Sequence, residues 1–358
     1  MTQLFTPIDL DGLTVRNRLW VSPMCQYSSQ DGLPNDWHHV HLAQFASGGS
    51  GLVIAEATAV VPEGRITPGD TGLWNDAQRD AWRPIVAAIH ARGAAAGIQL
   101  AHAGRKASTW RPFDEERGSV PEDRGGWQTV APSAIAFDGF AEPVALDAAG
   151  IDALVDAFAA AAARADAAGF DLLEVHAAHG YLLHQFLSPL SNERTDEYGG
   201  SLENRARLLL RVVEAVREAA PGRVLAVRFS ATDWADGGWN VDETATVAGW
   251  VGDRGARLID ISTGGLVAHQ RITTGPNYQV PFAATVRERT GLRVTAVGEI
   301  VDGPQAEAIL ADGLADAVMV GREWLRDPHF ALRAAHELGD PAVAALTPPQ
   351  YERARRHG

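Results

Sequence analysis

The stretch IDALVDAFAAAAARADAAGFDLLEVH, residues 151–176, joins an alanine-rich helical pattern to a short apolar run through a single glycine, Gly169. A glycine just past the last helical residue is a common helix stop. The run that follows, 172–176, sets Leu172, Leu173 and Val175 close together instead of in strict alternation. That pattern suits a strand covered on both faces. One helix followed by one buried strand is the unit from which parallel α/β folds are built.

The same unit recurs in both directions. Short apolar runs stand at 19–22, 52–57, 97–101, 172–176, 225–230, 258–262, 294–298 and 317–321, eight in all. Helical patterns fill 75–92, 202–219, 242–253, 278–290 and 304–311, with Asn75 as a cap and Pro304 at a tolerated helix start. Eight strands alternating with helices predict an α/β fold of the (β/α)8 barrel type, with a doubly wound open sheet as its rival. Two stretches break the rhythm, 108–140 after the third strand and 187–201 after the fourth. Loops of that length are more often functional than idle, and in a barrel they lie at the strand C-terminal face, where active sites sit. No repeat or linker interrupts the chain, so a single domain over 1–358 is expected.

Composition narrows the function. Lys plus Arg number 31 against 45 Asp plus Glu, a net charge of −14. Nucleic-acid binding, which needs a basic face, is not expected, nor is a polybasic membrane anchor. Cys25 is the only cysteine, so intrachain disulfides and four-thiolate metal sites are excluded. The start, MTQLFTPIDL, lacks the pattern of a secretory signal, and a cytoplasmic location is expected.

Polar residues cluster at the strand ends. The first run leads into Ser22, Pro23, Met24, Cys25 and Tyr27, and the third carries Gln99 and His102, with Arg105 and Lys106 beyond. The fourth ends at His176, followed by His179 and Tyr181; later runs carry Arg228, Ser262, Gly298 with Glu299, and Gly321 with Arg322. Each has a bland reading: Cys25 as a small buried hydrophobe, Arg228 in a structural ion pair, Gln99 satisfying backbone groups, the glycines as turns. His176 and His179 could ligate a metal in a hydrolase, or both could donate hydrogen bonds to one substrate oxygen.

The block from His176 (HAAHGYLLHQFLSP) through Asn192 to Arg205 (NERTDEYGGSLENR) resembles the signature of the Old Yellow Enzyme family. The similarity runs from Leu4 to Arg353, and Ser22-Pro23-Met24-Cys25 with Tyr27 is similar to the bacterial thermophilic-like and xenobiotic-reductase branch. The resemblance implies FMN across the barrel mouth, with NADPH or NADH as electron donor. Ser22, Pro23, Met24 and Cys25 would line the flavin ring, and Ala57 and Gln99 would meet its pyrimidine edge. Arg228 would sit near N1, and Ser262, Gly298, Gly321 and Arg322 would hold the ribityl chain and phosphate. His176 and His179 would bind the activating oxygen of an alkene such as an enone, enal, maleimide or nitroalkene. Tyr181, protonated at an ordinary pKa near ~10, would protonate the α-carbon. Tyr27, Cys25 and Arg353 would contact substrate, Arg353 from a tail at about 340–358 of a neighbouring subunit in a homodimer or homotetramer. Which imidazole of Trp37-His38-His39-Val40-His41 faces the site stays open, as do a flavin oxidase without an alkene substrate and the hydrolase.

Overall fold

The structure, a computed structural model, describes residues 2–354. A short antiparallel hairpin, β1 (Ile8–Leu10) and β2 (Leu13–Val15), comes first. The next strands are β3 (Leu19–Val21), β4 (Leu52–Ala59) and β5 (Ala95–Ala101). The long excursion after β5 carries a two-stranded pair of its own, β6 (Val130–Ala131) and β7 (Val144–Ala145). Then come β8 (Leu172–Ala177), β9 (Val224–Ser230), β10 (Leu258–Ser262), β11 (Arg293–Ala296) and β12 (Ala317–Val320). Strands β3, β4, β5, β8, β9, β10, β11 and β12 pair in parallel and close into a barrel, with β12 against β3. The open-sheet rival is thereby overturned, because a closed ring leaves no edge strand.

Helices fill the crossovers as the apolar periodicity requires. They are α1 (Asp36–Ser47), α2 (Asp76–His90), α3 (Ala148–Ala168), α4 (Leu182–Leu187), α5 (Leu202–Ala219), α6 (Val241–Asp253), α7 (Val280–Thr290) and α8 (Gly303–Ala311). The C-terminal part adds α9 (Arg322–Arg326), α10 (Phe330–Glu337) and α11 (Ala342–Leu346). Asn75 caps α2 by accepting from the Gln78 N–H, and Gly169 ends α3 in the left-handed region at φ +99°. No described helix is long and apolar enough to cross a membrane.

Helix α1 is not expected from the sequence. Asn35 caps it, and the His38 ring accepts the Asn35 N–H in return. Its buried face (His38, His41, Leu42, Phe45) mixes rings with apolar groups, while Trp37 and Val40 are exposed. That mixture hides the amphipathic stripe by which a helix is usually recognised.

Parity along the strands places the side chains. Leu173, Val175, Val227, Ile259, Ile261 and Val318 face outward and pack with the helices in the main core. Trp20, Ile54, Leu172, Ala226, Leu258 and Met319 face inward and form a second cluster with Ile8, Leu10 and Val15 of the hairpin. Many of these lie at or near their strands' first residues, so the hairpin closes the N-terminal end of the barrel. Further along the same strands the inward positions turn polar.

Candidate active site

The polar inner layer consists of Gln99, Glu174, Arg228, Asp260 and Thr295, all buried. Their strands are register neighbours: Gln99 pairs with Glu174 and Asp260 with both Arg228 and Thr295. Gln99 Nε2 donates to Glu174 Oε1 at 2.7 Å. Arg228 Nε meets Asp260 Oδ2 at 3.1 Å, and its Nη1 donates to Ser22 Oγ at 3.0 Å. Thr295 Oγ1 donates to Asp260 Oδ1 at 2.6 Å. A charge this deep is tolerated only when paired. Arg228 therefore closes the structural ion pair that the sequence left open, and it also lines the cavity described below.

The turn after β8 carries the two imidazoles. His179 has φ +58°, an unusual value for a side chain of this size, and such strain concentrates at functional turns. Three contacts hold it there. Ser230 Oγ accepts the His179 N–H at 2.9 Å, and Lys106 Nζ donates to the carbonyls of His179 at 2.8 Å and Gly265 at 2.9 Å. The Gly180 N–H donates to His184 Nδ1 at 2.9 Å, and His184 Nε2 lies 2.9 Å from Asp233 Oδ1, with both side chains fully buried. Gly180 admits no other residue, since a Cβ there would come within 2.1 Å of the Gly265 carbonyl oxygen. The His176 ring lies edge-on to both His179 and Tyr181, with centroids 5.1 Å away in each case. His179 Nε2 is 2.7 Å from Ser262 Oγ. Burial first, and the Arg228 charge second, push both imidazoles well below their ordinary pKa, so they stand neutral. Burial raises the Tyr181 hydroxyl well above its ordinary value, so it stays protonated.

The segment after β3 supplies the facing wall. Ser22 is buried, and Pro23, Met24, Cys25 and Tyr27 are half-buried. Tyr27 takes φ +54°. Burial, then the charges of Asp70 and Glu56, raises the Cys25 pKa, which leaves a thiol and not a thiolate. Glu56 accepts the Gln26 N–H through one oxygen and meets His38 Nε2 at 3.0 Å through the other. His38 thus supports this segment from behind. His41 packs between the rings of Trp37 and Phe45.

A cavity of about 470 Å³ opens beside these groups, lined by Met24, Arg228, Ser262, Gly298, Gly321 and Arg322 among others. Its size falls within the ordinary range for small-molecule sites. Gly298, at φ +125°, forms part of a cradle that a Cβ would fill, meeting Gln279 Nε2 at 2.9 Å. A guanidinium at one end, glycines along the wall and an exposed Arg322 at the start of α9 suit an elongated anionic cofactor such as FMN. Ala57 is buried beside a register shift in β4 and pairs with Gln99. Arg353 does not join this group. It is exposed, and the segment before it lines a cavity together with Arg16, Ser47 and Arg92 near the strand N-terminal ends.

Sequence reasoning singled out neither Glu174 nor Asp260, and noted Lys106 only as a residue beyond a strand. The metal reading of His176 and His179 gains no further ligands. Among the described residues no group of three or more His, Cys, Asp or Glu could hold a metal ion.

Known proteins resemble this arrangement over nearly the whole chain. The model of the NADH:flavin oxidoreductase / NADH oxidase family matches residues 3–340. An NADPH dehydrogenase of Listeria monocytogenes is 47% identical, covering 99% of both chains. An NADPH dehydrogenase of Bacillus subtilis is 46% identical, covering 98% of both. Among solved structures, morphinone reductase in complex with tetrahydroNAD superposes with a TM-score of 0.79 at 32% identity, over 96% of this chain and 94% of that one. An Old Yellow Enzyme homologue from Zymomonas mobilis gives 0.77 at 30% identity, over 94% and 93%. Fold, cavity and sequence thus agree, and the chain belongs to the NADH:flavin oxidoreductase / NADH oxidase family, that of Old Yellow Enzyme, as an FMN-dependent oxidoreductase with a nicotinamide donor.

Proposed function

We propose that this enzyme is an ene-reductase: it takes hydride from NADPH and passes it to the β-carbon of an activated alkene, in a ping-pong cycle. The observation that carries this reading is the grouping of His176, His179 and Tyr181, with His179 Nε2 2.7 Å from Ser262 Oγ, which lines the same cavity as Arg228. Bound FMN supplies the hydride-accepting and hydride-donating atom. Ser22, Pro23, Met24, Ala57, Gln99, Arg228, Ser262, Gly298, Gly321 and Arg322 would hold it, and the Arg228 guanidinium would stabilise negative charge on its pyrimidine edge. His176 and His179 donate to the substrate oxygen and draw electron density from the alkene, His179 exchanging its Ser262 partner for it. In His176 the Nδ1 accepts the Ala178 N–H, so the neutral ring carries its proton on Nε2 and can donate it to an enone or nitro oxygen. Tyr181 delivers its proton to the α-carbon, and burial keeps that proton in place until the carbon becomes basic. Cys25 touches flavin and substrate as a neutral thiol, and Tyr27 caps the pocket.

The tail adds a subunit question. Since the segment before Arg353 lies against the N-terminal side of its own barrel, Arg353 serves a site by reaching that of a neighbouring subunit. The working unit on this reading is a homodimer or homotetramer of single-domain chains.

The two half-reactions separate the roles. Tyr181→Phe is expected to slow reoxidation by 2-cyclohexenone by roughly 10²-fold or more while reduction by NADPH is unchanged in stopped-flow traces. Equal slowing of both would remove Tyr181 as the proton donor. His176→Ala is expected to weaken enone turnover by ~10²–10³.

A further inference from the structure

Glu174 is fully buried in the middle of β8, and its two oxygens differ. Oε1 accepts from Gln99 Nε2 at 2.7 Å, whereas Oε2 is buried with no hydrogen-bond partner. The groups facing it are Gln99 from β5, Arg228 from β9 and Asp260 from β10, with His176 two residues along its own strand. This layer therefore holds two carboxyls and one guanidinium. Arg228 is already engaged with Asp260 at 3.1 Å. If both carboxyls were ionised, the layer would carry a net negative charge directly below the site for an electron-accepting cofactor. An unpartnered, buried carboxylate oxygen is also among the costliest groups a core can hold.

We propose that Glu174 is a positioning residue of the flavin site, working as a neutral acid that fixes the Gln99 amide and leaves Arg228 balanced by Asp260 alone. The first effect is geometric. With its N–H2 committed downward to Glu174, the Gln99 amide presents its oxygen as an acceptor to an N–H on the pyrimidine edge. The second effect is electrostatic. A neutral Glu174 does not compete for the guanidinium, so the positive charge of Arg228 remains available when hydride arrival makes the flavin negative. Burial, followed by the nearby Asp260 charge, holds the Glu174 carboxyl well above the ordinary carboxylate range, against the opposing pull of Arg228 and Gln99. A further consequence is thermodynamic coupling. The negative charge on reduced flavin raises the proton affinity of Glu174 again, so in alkaline solution reduction draws one extra proton from solvent onto its carboxylate. Reoxidation by substrate returns that proton to solvent. Electrons come from the nicotinamide and leave with the substrate; Glu174 exchanges only a proton.

The inference rests on FMN occupying this cavity, and the test keeps the two claims apart. Infrared difference spectra of wild type minus Glu174→Gln, taken for the FMN-free and for the FMN-loaded protein, should show a protonated-carboxyl band at neutral pH. An ionised Glu174 at neutral pH would overturn the proposal, even for a chain that cannot be loaded with FMN. In the loaded enzyme, the midpoint potential of bound FMN should be followed against pH. Wild type and Glu174→Gln should coincide at neutral pH. Above it, wild type should fall more steeply by one tenfold factor in the reduction equilibrium per pH unit, about 30 mV for a two-electron couple. Parallel curves across the whole range would overturn the coupling. If Glu174→Gln fails to fold, proton uptake on anaerobic reduction of wild type decides: it should exceed its neutral-pH stoichiometry in the alkaline range, and a constant stoichiometry counts against the proposal.

Discussion

Leu172 and Glu174 stand two residues apart on one strand and point into the same barrel, yet their surroundings are opposite. Leu172 sits among Trp20, Ile54, Leu258 and Met319 under the N-terminal hairpin, where nothing polar is needed and packing alone sets the energy. Glu174 sits among Gln99, Arg228 and Asp260, where every oxygen and nitrogen must find a partner or lose its charge. The lower layer resembles any core. The upper layer is expensive to build, and its Arg228 lines the cavity proposed for FMN. A single barrel interior thus divides along its axis into an apolar part that holds the fold and a polar part beside the proposed cofactor cavity. The boundary is one inward-facing position.

That division can be broken from either side. The largest effect is expected from Arg228→Leu, which strands Asp260 without its cation. Stability should fall by roughly 4 kcal/mol in urea denaturation, the usual cost of breaking a buried pair, and FMN should be lost on desalting. Leu258→Ala, two residues below Asp260 on β10, should cost about 3 kcal/mol by cavity formation while the purified protein keeps its FMN. If this variant lost flavin as readily as Arg228→Leu, the two layers would not be separable. Thr295→Val is the mildest. Removing its 2.6 Å bond to Asp260 should cost about 1.5 kcal/mol and leave FMN binding intact, a change visible only in the denaturation midpoint.

The same division explains what could be read in the sequence. All eight barrel strands are visible as short apolar runs, because burial on both faces needs consecutive apolar residues. Helix boundaries such as Asn75 and Gly169 are visible because capping uses few residue types. The strand-end residues are visible because polarity stands out at the end of an apolar run. Glu174 and Asp260 are missed for the opposite reason. They sit inside the runs, flanked by Leu173 and Val175 or by Ile259 and Ile261, and look like exceptions to a rule instead of members of a layer. Counting by twos along LLEVH, from Leu172 to Glu174 to His176, would have found the layer. His184 and Asp233 were hidden more deeply. Their contact joins residues far apart in the chain, and nothing local announces that a buried pair steadies the Gly180 turn. Arg194 has a similar part, donating to the carbonyls of Pro132 and Leu146, so the block that carries the family likeness is partly a brace between the two excursions.

An anaerobic visible-spectrum titration of the FMN-loaded enzyme tests the central claim most directly, with NADPH added first and 2-cyclohexenone second. The flavin bands should bleach with NADPH and return in full with the enone, both half-reactions taking place at the site built by His176, His179, Tyr181 and Arg228. Bands that bleach with NADPH, stay bleached with the enone and return only on admitting oxygen would contradict alkene reduction and leave an oxidase.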